Sequence, residues 1–153
     1  MMTSNKQQGI GLNPNTLRGV HHIALNVKDM AASRRFYGDV LGLYELTGDK
    51  VPKTLVKLVR EGKVANFQLP DGTILDLFGE PDLHPPDPDP ARQFTRANHL
   101  AFDIAPSLFE QAVAVLKDNN IPIDHGPVSR PTGRGIYFYD PDGFLVEIRC
   151  DPS

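Results

Sequence analysis

Five short stretches of the chain alternate their side chains with a period of two, which is the pattern of half-buried strands. In 20–27, Ile23, Leu25 and Val27 point one way, while His22, Ala24 and Asn26 point the other. In 73–78, Leu75 and Leu77 oppose Ile74, Asp76 and Phe78. In 99–104, Leu100, Phe102 and Ile104 oppose His99, Ala101 and Asp103. In 144–150, Val146 and Ile148 oppose Leu145, Glu147 and Arg149. Within 136–139, Tyr137 and Tyr139 oppose Ile136 and Phe138. The apolar face of each strand is predicted to pack on helices. The other face carries small, polar and ionisable residues, as in a curved sheet with one functional side.

Two stretches carry helical spacing instead. The first spans 29–41, with Asp29 as N-cap, Met30, Ser33, Phe36, Tyr37 and Val40 recurring along it, and Gly42 ending it. The second spans 106–119, with Pro106 in its first turn, an apolar stripe of Leu108, Phe109, Ala112, Val115 and Leu116, and Asn119-Asn120 at its end. Each helix follows a His-bearing strand, so the order β-α-β-β-β occurs twice. Between the halves, Pro81 to Pro90 holds five prolines in ten residues, which neither a helix interior nor a central strand tolerates. The expected organisation is a loose arm over 1–16, then one domain over 17–153. That domain comprises module one (17–80), a semi-rigid linker (81–95) and module two (96–150). A module of this size buries little core alone, so the two should fold together. In 49–62, Pro52, Leu55, Leu58 and Val59 suit a short helix acting as a lid or rim over the concave face.

The repeat extends to the chemistry. Each half offers one imidazole near its start, His22 or His99, and one carboxylate near its end, Asp76 or Glu147. Both carboxylates lie four residues after the glycine of a Pro-Asp-Gly, Gly72 and Gly143. Two imidazoles and two carboxylates suit a borderline divalent cation with coordination positions left for water or substrate. His21 competes with His22, but alternation aims it toward the helix side. A carboxylate such as Glu147 in an apolar strand needs a partner. Arg149 shares the Glu147 face and suits either a bidentate grip on an anionic substrate or a rim salt bridge. Asn26 and Asp103 are placed to support the histidines, and Asn26 to meet substrate. His84 in the proline-rich linker reads as an exposed loop residue, and His125 before Gly126-Pro127 as an exposed turn residue. Ser129 to Gly135 is a polar loop whose Arg130 and Arg134 suit a carboxylate or phosphate; it lacks the spacing of a P-loop.

Bulk properties remove several function classes. The 153 residues carry a net charge of −3, which gives no footprint for nucleic acid or an anionic membrane. No apolar run approaches the ~20 residues of a membrane span. Residues 1–15 lack the apolar segment of a secretory signal. A single cysteine, Cys150, excludes an internal disulfide, and a reducing cytoplasmic setting is the expectation.

The chain resembles the vicinal oxygen chelate superfamily, which includes glyoxalase I, methylmalonyl-CoA epimerase, fosfomycin-resistance enzymes, extradiol dioxygenases and bleomycin-binding proteins. The resembling residues are His21 to Val27 with Ser33, Phe36-Tyr37 and Leu41-Gly42-Leu43; Leu69 to Thr73 with Leu77-Phe78; Asn98 to Phe102; and Tyr137 to Gly143 with Glu147-Ile148. The resemblance covers about residues 17–150. It implies an α+β fold in which two tandem βαβββ modules form an open curved barrel, helices outside, around one divalent transition metal (Ni, Zn, Mn, Co or Fe). The metal positions implied are His22, His99 and Glu147. Asp76 falls where some members carry a Glu or Gln ligand, and its shorter side chain leaves direct and water-bridged roles open. Tyr137 falls on a substrate-contacting tyrosine, and a homodimer is implied. The implied function is acid-base isomerase or lyase chemistry on a small substrate that chelates the metal, with Glu147 and Asp76 as proton carriers. An Fe(II) extradiol dioxygenase and a non-enzymatic drug- or metabolite-binding protein are the alternatives. Asn26 and Ala24 stand where glutathione-dependent glyoxalase I members usually have Arg and fosfomycin-type members Thr, so neither specialised assignment is supported.

Overall fold

The computed structural model describes residues 11, 13–16, 18–82, 84, 89 and 97–153. Most of the N-terminal arm and of the proline-rich linker, including Leu83 and residues 85–88 and 90–96, lies outside the described residues.

Module one runs β1 (His22–Val27), α1 (Met30–Arg34), β2 (Tyr44–Glu45), α2 (Val56–Arg60), β3 (Val64–Gln68) and β4 (Ile74–Gly79). Module two runs β5 (Leu100–Asp103), α3 (Phe109–Asp118), β6 (Ile123–Arg130), β7 (Gly133–Tyr139) and β8 (Leu145–Cys150). Each module forms a four-stranded sheet of the same topology, β1-β4-β3-β2 and β5-β8-β7-β6. The first and last strand of each module pair in parallel, and the other pairs are antiparallel. The fold is α+β with two open sheets that do not close into a barrel.

Local chemistry explains the elements. Asp29 caps α1 by accepting from the Ala32 backbone N–H at 3.1 Å. The predicted continuous α-helix over 29–41 gives way to a π-helix over Arg35–Val40, closed by Leu41 N–H donating to Phe36 O at 2.9 Å. The wider turn accompanies burial of two successive rings, Phe36 and Tyr37. Gly42 ends the segment at φ 72°. In the second helix, Pro106–Leu108 form a 3-10 turn before α3, and Asn120 leaves the helix at φ 55°. Residues 49–62 become two 3-10 turns, Gly48–Lys50 and Lys53–Leu55, followed by α2. Among the described residues, no helix is long and apolar enough to cross a membrane.

One core spans both modules. Val27, Phe36, Tyr37, Phe67, Leu75 and Leu77 from the first share a buried cluster with Phe109, Leu116, Ile136, Phe138, Val146 and Ile148 from the second. Alternation assigned Val27, Leu75, Leu77, Ile136, Phe138, Val146 and Ile148 to these faces and helical spacing assigned Phe36, Tyr37, Phe109 and Leu116, whereas Phe67 lies in β3, which the patterning did not mark. The turn Asp140-Pro141-Asp142-Gly143 forms the polar joint. Tyr37 O–H, fully buried, donates to Asp140 Oδ2 at 2.8 Å. Asp140 Oδ1 also accepts from Asp142 N–H and Phe144 N–H at 2.9 and 2.8 Å. Asp142 accepts from Lys28 N–H at 2.9 Å. Burial pushes both the Tyr37 hydroxyl and the Asp140 carboxyl above their usual ranges, the more so for Tyr37 because Asp140 lies beside it.

Candidate metal centre

Strand register repeats at the candidate site. Ala24 on β1 lies opposite Asp76 on β4, and Ala101 on β5 lies opposite Glu147 on β8. On the other flank, Asn66 on β3 faces Asp76, and Tyr137 on β7 faces Glu147. His22 precedes Ala24 by two residues within β1 and so shares that face, while His99, one residue before β5, is placed there by its approach to Glu147. Each module therefore lays out imidazole, alanine, carboxylate and one further polar side chain in the same order, on the face turned away from the core.

In module two these groups meet. His99 Nε2 lies 3.1 Å from Glu147 Oε2, and its Nδ1 lies 2.7 Å from Asn98 Oδ1, which orients the ring. Glu147 is buried, and Gly135 makes room for it: a Cβ there would stand 2.9 Å from Glu147 Oε1. Tyr137 meets the His99 ring edge-on at 5.8 Å. His125 stacks on Tyr137, 4.1 Å between centroids and 12° between planes. Arg130 Nη1 donates to the Tyr137 hydroxyl at 3.3 Å. Asp124 accepts from Tyr139 O–H and lies 2.5 Å from His125 Nδ1. Those two hydrogen bonds, Tyr139 first, hold the Asp124 carboxyl below the usual carboxylate range.

In module one the arrangement is looser. His22 is exposed, with its Nδ1 2.9 Å from His21 Nδ1 and the two rings edge-on at 5.2 Å. His21 is thus not directed into the helix side as alternation suggested; it lies one residue before β1, where the pleat has not begun. Asp76 is buried and accepts from Asn66 Nδ2 at 2.5 Å. Asn66 is itself buried, and its Oδ1 has no hydrogen-bond partner.

The remaining candidates separate. Arg149 sits in rim ion pairs, Nη1 2.6 Å from Asp103 Oδ1 and 2.8 Å from Asp151 Oδ1. Asp103 therefore engages Arg149 rather than a histidine. Asn26 is exposed, two residues beyond Ala24 on the same face. Arg134 lies on the core side, its guanidinium 4.4 Å above the Phe109 ring and paired with Glu110. His84 is exposed, in line with its reading as a loop residue. His125, read as an exposed turn residue, is exposed but lies in β6. Register shifts around it break the alternation that would have marked a strand. Asn66 did leave a signal: it precedes Asp76 by ten residues, as Tyr137 precedes Glu147.

Among the described residues of one chain, no three His, Cys, Asp or Glu side chains are grouped so as to hold an ion. The residues nonetheless fit one in pairs. The His99–Glu147 donor set suits a borderline cation, the space beside Gly135 admits the Glu147 carboxylate, and Asn66 carries a buried, unspent acceptor.

Known proteins resemble this chain in sequence and in fold. A relative from Staphylococcus saprophyticus, metallothiol transferase FosB, is 32% identical over 133 residues, covering 86% of this chain and 76% of its own. The Escherichia coli protein YaeR is 29% identical over 133 residues, covering 86% and 95%. The crystal structure of a glyoxalase/dioxygenase from Nostoc punctiforme superposes with TM-score 0.89 at 69% identity, covering 94% of this chain and 97% of that one. A Listeria monocytogenes FosX structure shares the fold with TM-score 0.65 at 24% identity, covering 89% and 94%. The model of the glyoxalase/bleomycin resistance protein/dioxygenase superfamily matches residues 19–148, and this chain belongs to that family.

Proposed function

We propose that the chain is a divalent-metal-dependent enzyme performing acid-base isomerase or lyase chemistry on a small substrate with adjacent oxygens. The repeat supports the reading: Ala24 pairs with Asp76 and Ala101 with Glu147 in equivalent register, and His99 Nε2 lies 3.1 Å from Glu147 Oε2. Metal use is in keeping with the name of the FosB relative and with the FosX structure, which holds Mn(II) and a dihydroxypropylphosphonic acid. His22, His99 and Glu147 would hold the ion, with Asp76 beside them. A bound divalent ion would lower the pKa of a coordinated hydroxyl and stabilise an oxyanion developing next to it. Glu147, buried against Gly135, would accept and return the proton at its Oε1 or Oε2. Tyr137, held between His99, His125 and Arg130, would orient the substrate.

The ligand-bearing faces turn away from the shared core, so a second copy of the chain would complete the site. His22 and Asp76 of one copy would then oppose His99 and Glu147 of the other. The test is metal content of the purified protein, compared with His99→Ala and with a mixture of His22→Ala and His99→Ala subunits. The single variants should lose stoichiometric metal. The mixed dimer should regain one site, because its two lesions fall in the same composite site and leave the other intact. Unchanged metal in His99→Ala refutes the ligand assignment; no recovery in the mixture refutes the composite site.

One observation favours a second reading, an Fe(II) extradiol dioxygenase. His125, backed by Asp124, is a further imidazole one ring away from His99. Iron-dependent oxygen consumption with a catechol would establish it, and its absence would leave the acid-base reading.

A further inference from the structure

We infer that Asn66 is a positioning residue for the metal site: it holds the Asp76 carboxylate in place as a ligand and keeps an acceptor for a hydroxyl donor there. The inference rests on the metal-dependent reading above and adds to it a residue from the centre of β3.

Three observations support it. Asn66 occupies in module one the register position that Tyr137 occupies in module two, directly across from the carboxylate. The ten-residue spacing between the two members is the same in both halves. The position is therefore part of the repeated site rather than a chance polar residue. Next, Asn66 is 1% exposed between the buried Ala65 and Phe67, so its amide is held out of water at a cost that only its partners can offset. Its amide donor is spent on Asp76, Nδ2 to Oδ1, at 2.5 Å. That bond fixes one carboxylate oxygen and leaves the other to be directed. Finally, its Oδ1 is buried with no partner. A buried acceptor left unspent is unfavourable for the fold alone. It becomes useful when a donor arrives, as a coordinated water or a substrate hydroxyl would.

The short Asp76 side chain gives the arrangement its reason. Aspartate has fewer rotatable bonds and less reach than glutamate, so its approach to an ion depends on how it is braced. In module two, the longer Glu147 reaches His99 directly beside Gly135. In module one, Asn66 supplies the brace.

The experiment is Mn2+ titration of the full-length protein by calorimetry, with the Mn2+ paramagnetic resonance spectrum as a second readout. The variants are Asn66→Leu, Asp76→Ala, the double variant and His99→Ala. Asn66→Leu is expected to weaken Mn2+ binding about ten- to hundredfold and to alter the spectrum. The double variant is expected to bind no more weakly than Asp76→Ala, because Asn66 acts through Asp76. Wild-type affinity in Asn66→Leu, wild-type affinity in Asp76→Ala, or losses that add in the double variant would overturn the inference. Circular dichroism checks folding; if Asn66→Leu does not fold, Asn66→Ser replaces it with the same expected result. Loss of binding in His99→Ala alongside an unaffected Asn66→Leu would sink this inference alone. Full binding in His99→Ala would sink the metal reading with it.

Discussion

Gly135→Ala tests how closely the Glu147 pocket is tailored. The new methyl carbon would stand 2.9 Å from Glu147 Oε1 and 3.7 Å from Tyr137 Cε2. Ordinary contact begins near 3.4 Å, so the carboxylate oxygen has to retreat by about 0.5 Å, more than the ~0.2 Å that a metal-ligand bond tolerates. The retreat also disturbs the 3.1 Å approach to His99. Divalent-metal affinity should therefore fall about ten- to hundredfold, or roughly 1.4–2.7 kcal/mol. The fold should barely respond. The clashing atom is the end of a flexible side chain, and β7 is extended there, so alanine's smaller unfolded-state entropy offsets part of the cost. Thermal melts in chelator should place the stability change below about 1 kcal/mol. Calorimetric titration of wild type and variant with Mn2+ or Zn2+ reads the affinity. Wild-type affinity in a folded Gly135→Ala protein would refute the claim that the missing side chain exists to admit the carboxylate. A large loss of stability with affinity intact would refute it equally.

Two further outcomes follow from the polar contacts. Tyr37→Phe removes the buried donor to Asp140 at the joint between modules and should cost about 1.5–3 kcal/mol in denaturant unfolding, the range for a hydrogen bond to a charged group; a change under about 0.5 kcal/mol would mean that the joint does not hold the modules. Tyr139→Phe removes the first cause of the lowered Asp124 pKa, so the carboxyl should titrate at higher pH than in wild type by NMR. In the wild type this bond's contribution to stability is present above the ordinary carboxylate pKa and is lost as pH falls through the lowered folded value. An unmoved midpoint in Tyr139→Phe would show that another group lowers it.

Much of the fold was legible in the sequence because it depends on local periodicity. A period of two separated His22 and Asp76 from Ile23 and Leu75, and the observed core contains Leu75, Leu77, Val146 and Ile148 as that separation requires. Cap chemistry placed the start of α1 at Asp29. Where local patterning failed, a non-local cause is visible. The π-helix over Arg35–Val40 goes with burial of both Phe36 and Tyr37 against the second module, which helical spacing within the segment does not encode. His125 escaped because the irregular register of β6 destroys the alternation that marks a strand.

The chain alone determined which side chains share a face, since strand geometry alternates residues irrespective of what surrounds them. It also set the duplicated imidazole and carboxylate positions. Only the tertiary structure decided which of those groups meet. Parallel pairing of β1 with β4 and of β5 with β8 aligned each alanine with a carboxylate, and the strand between added Asn66 or Tyr137 across from it. Packing of both apolar faces into one core left the carboxylates Asp76 and Glu147 on the opposite strand faces, because strand alternation sends neighbouring side chains to opposite sides.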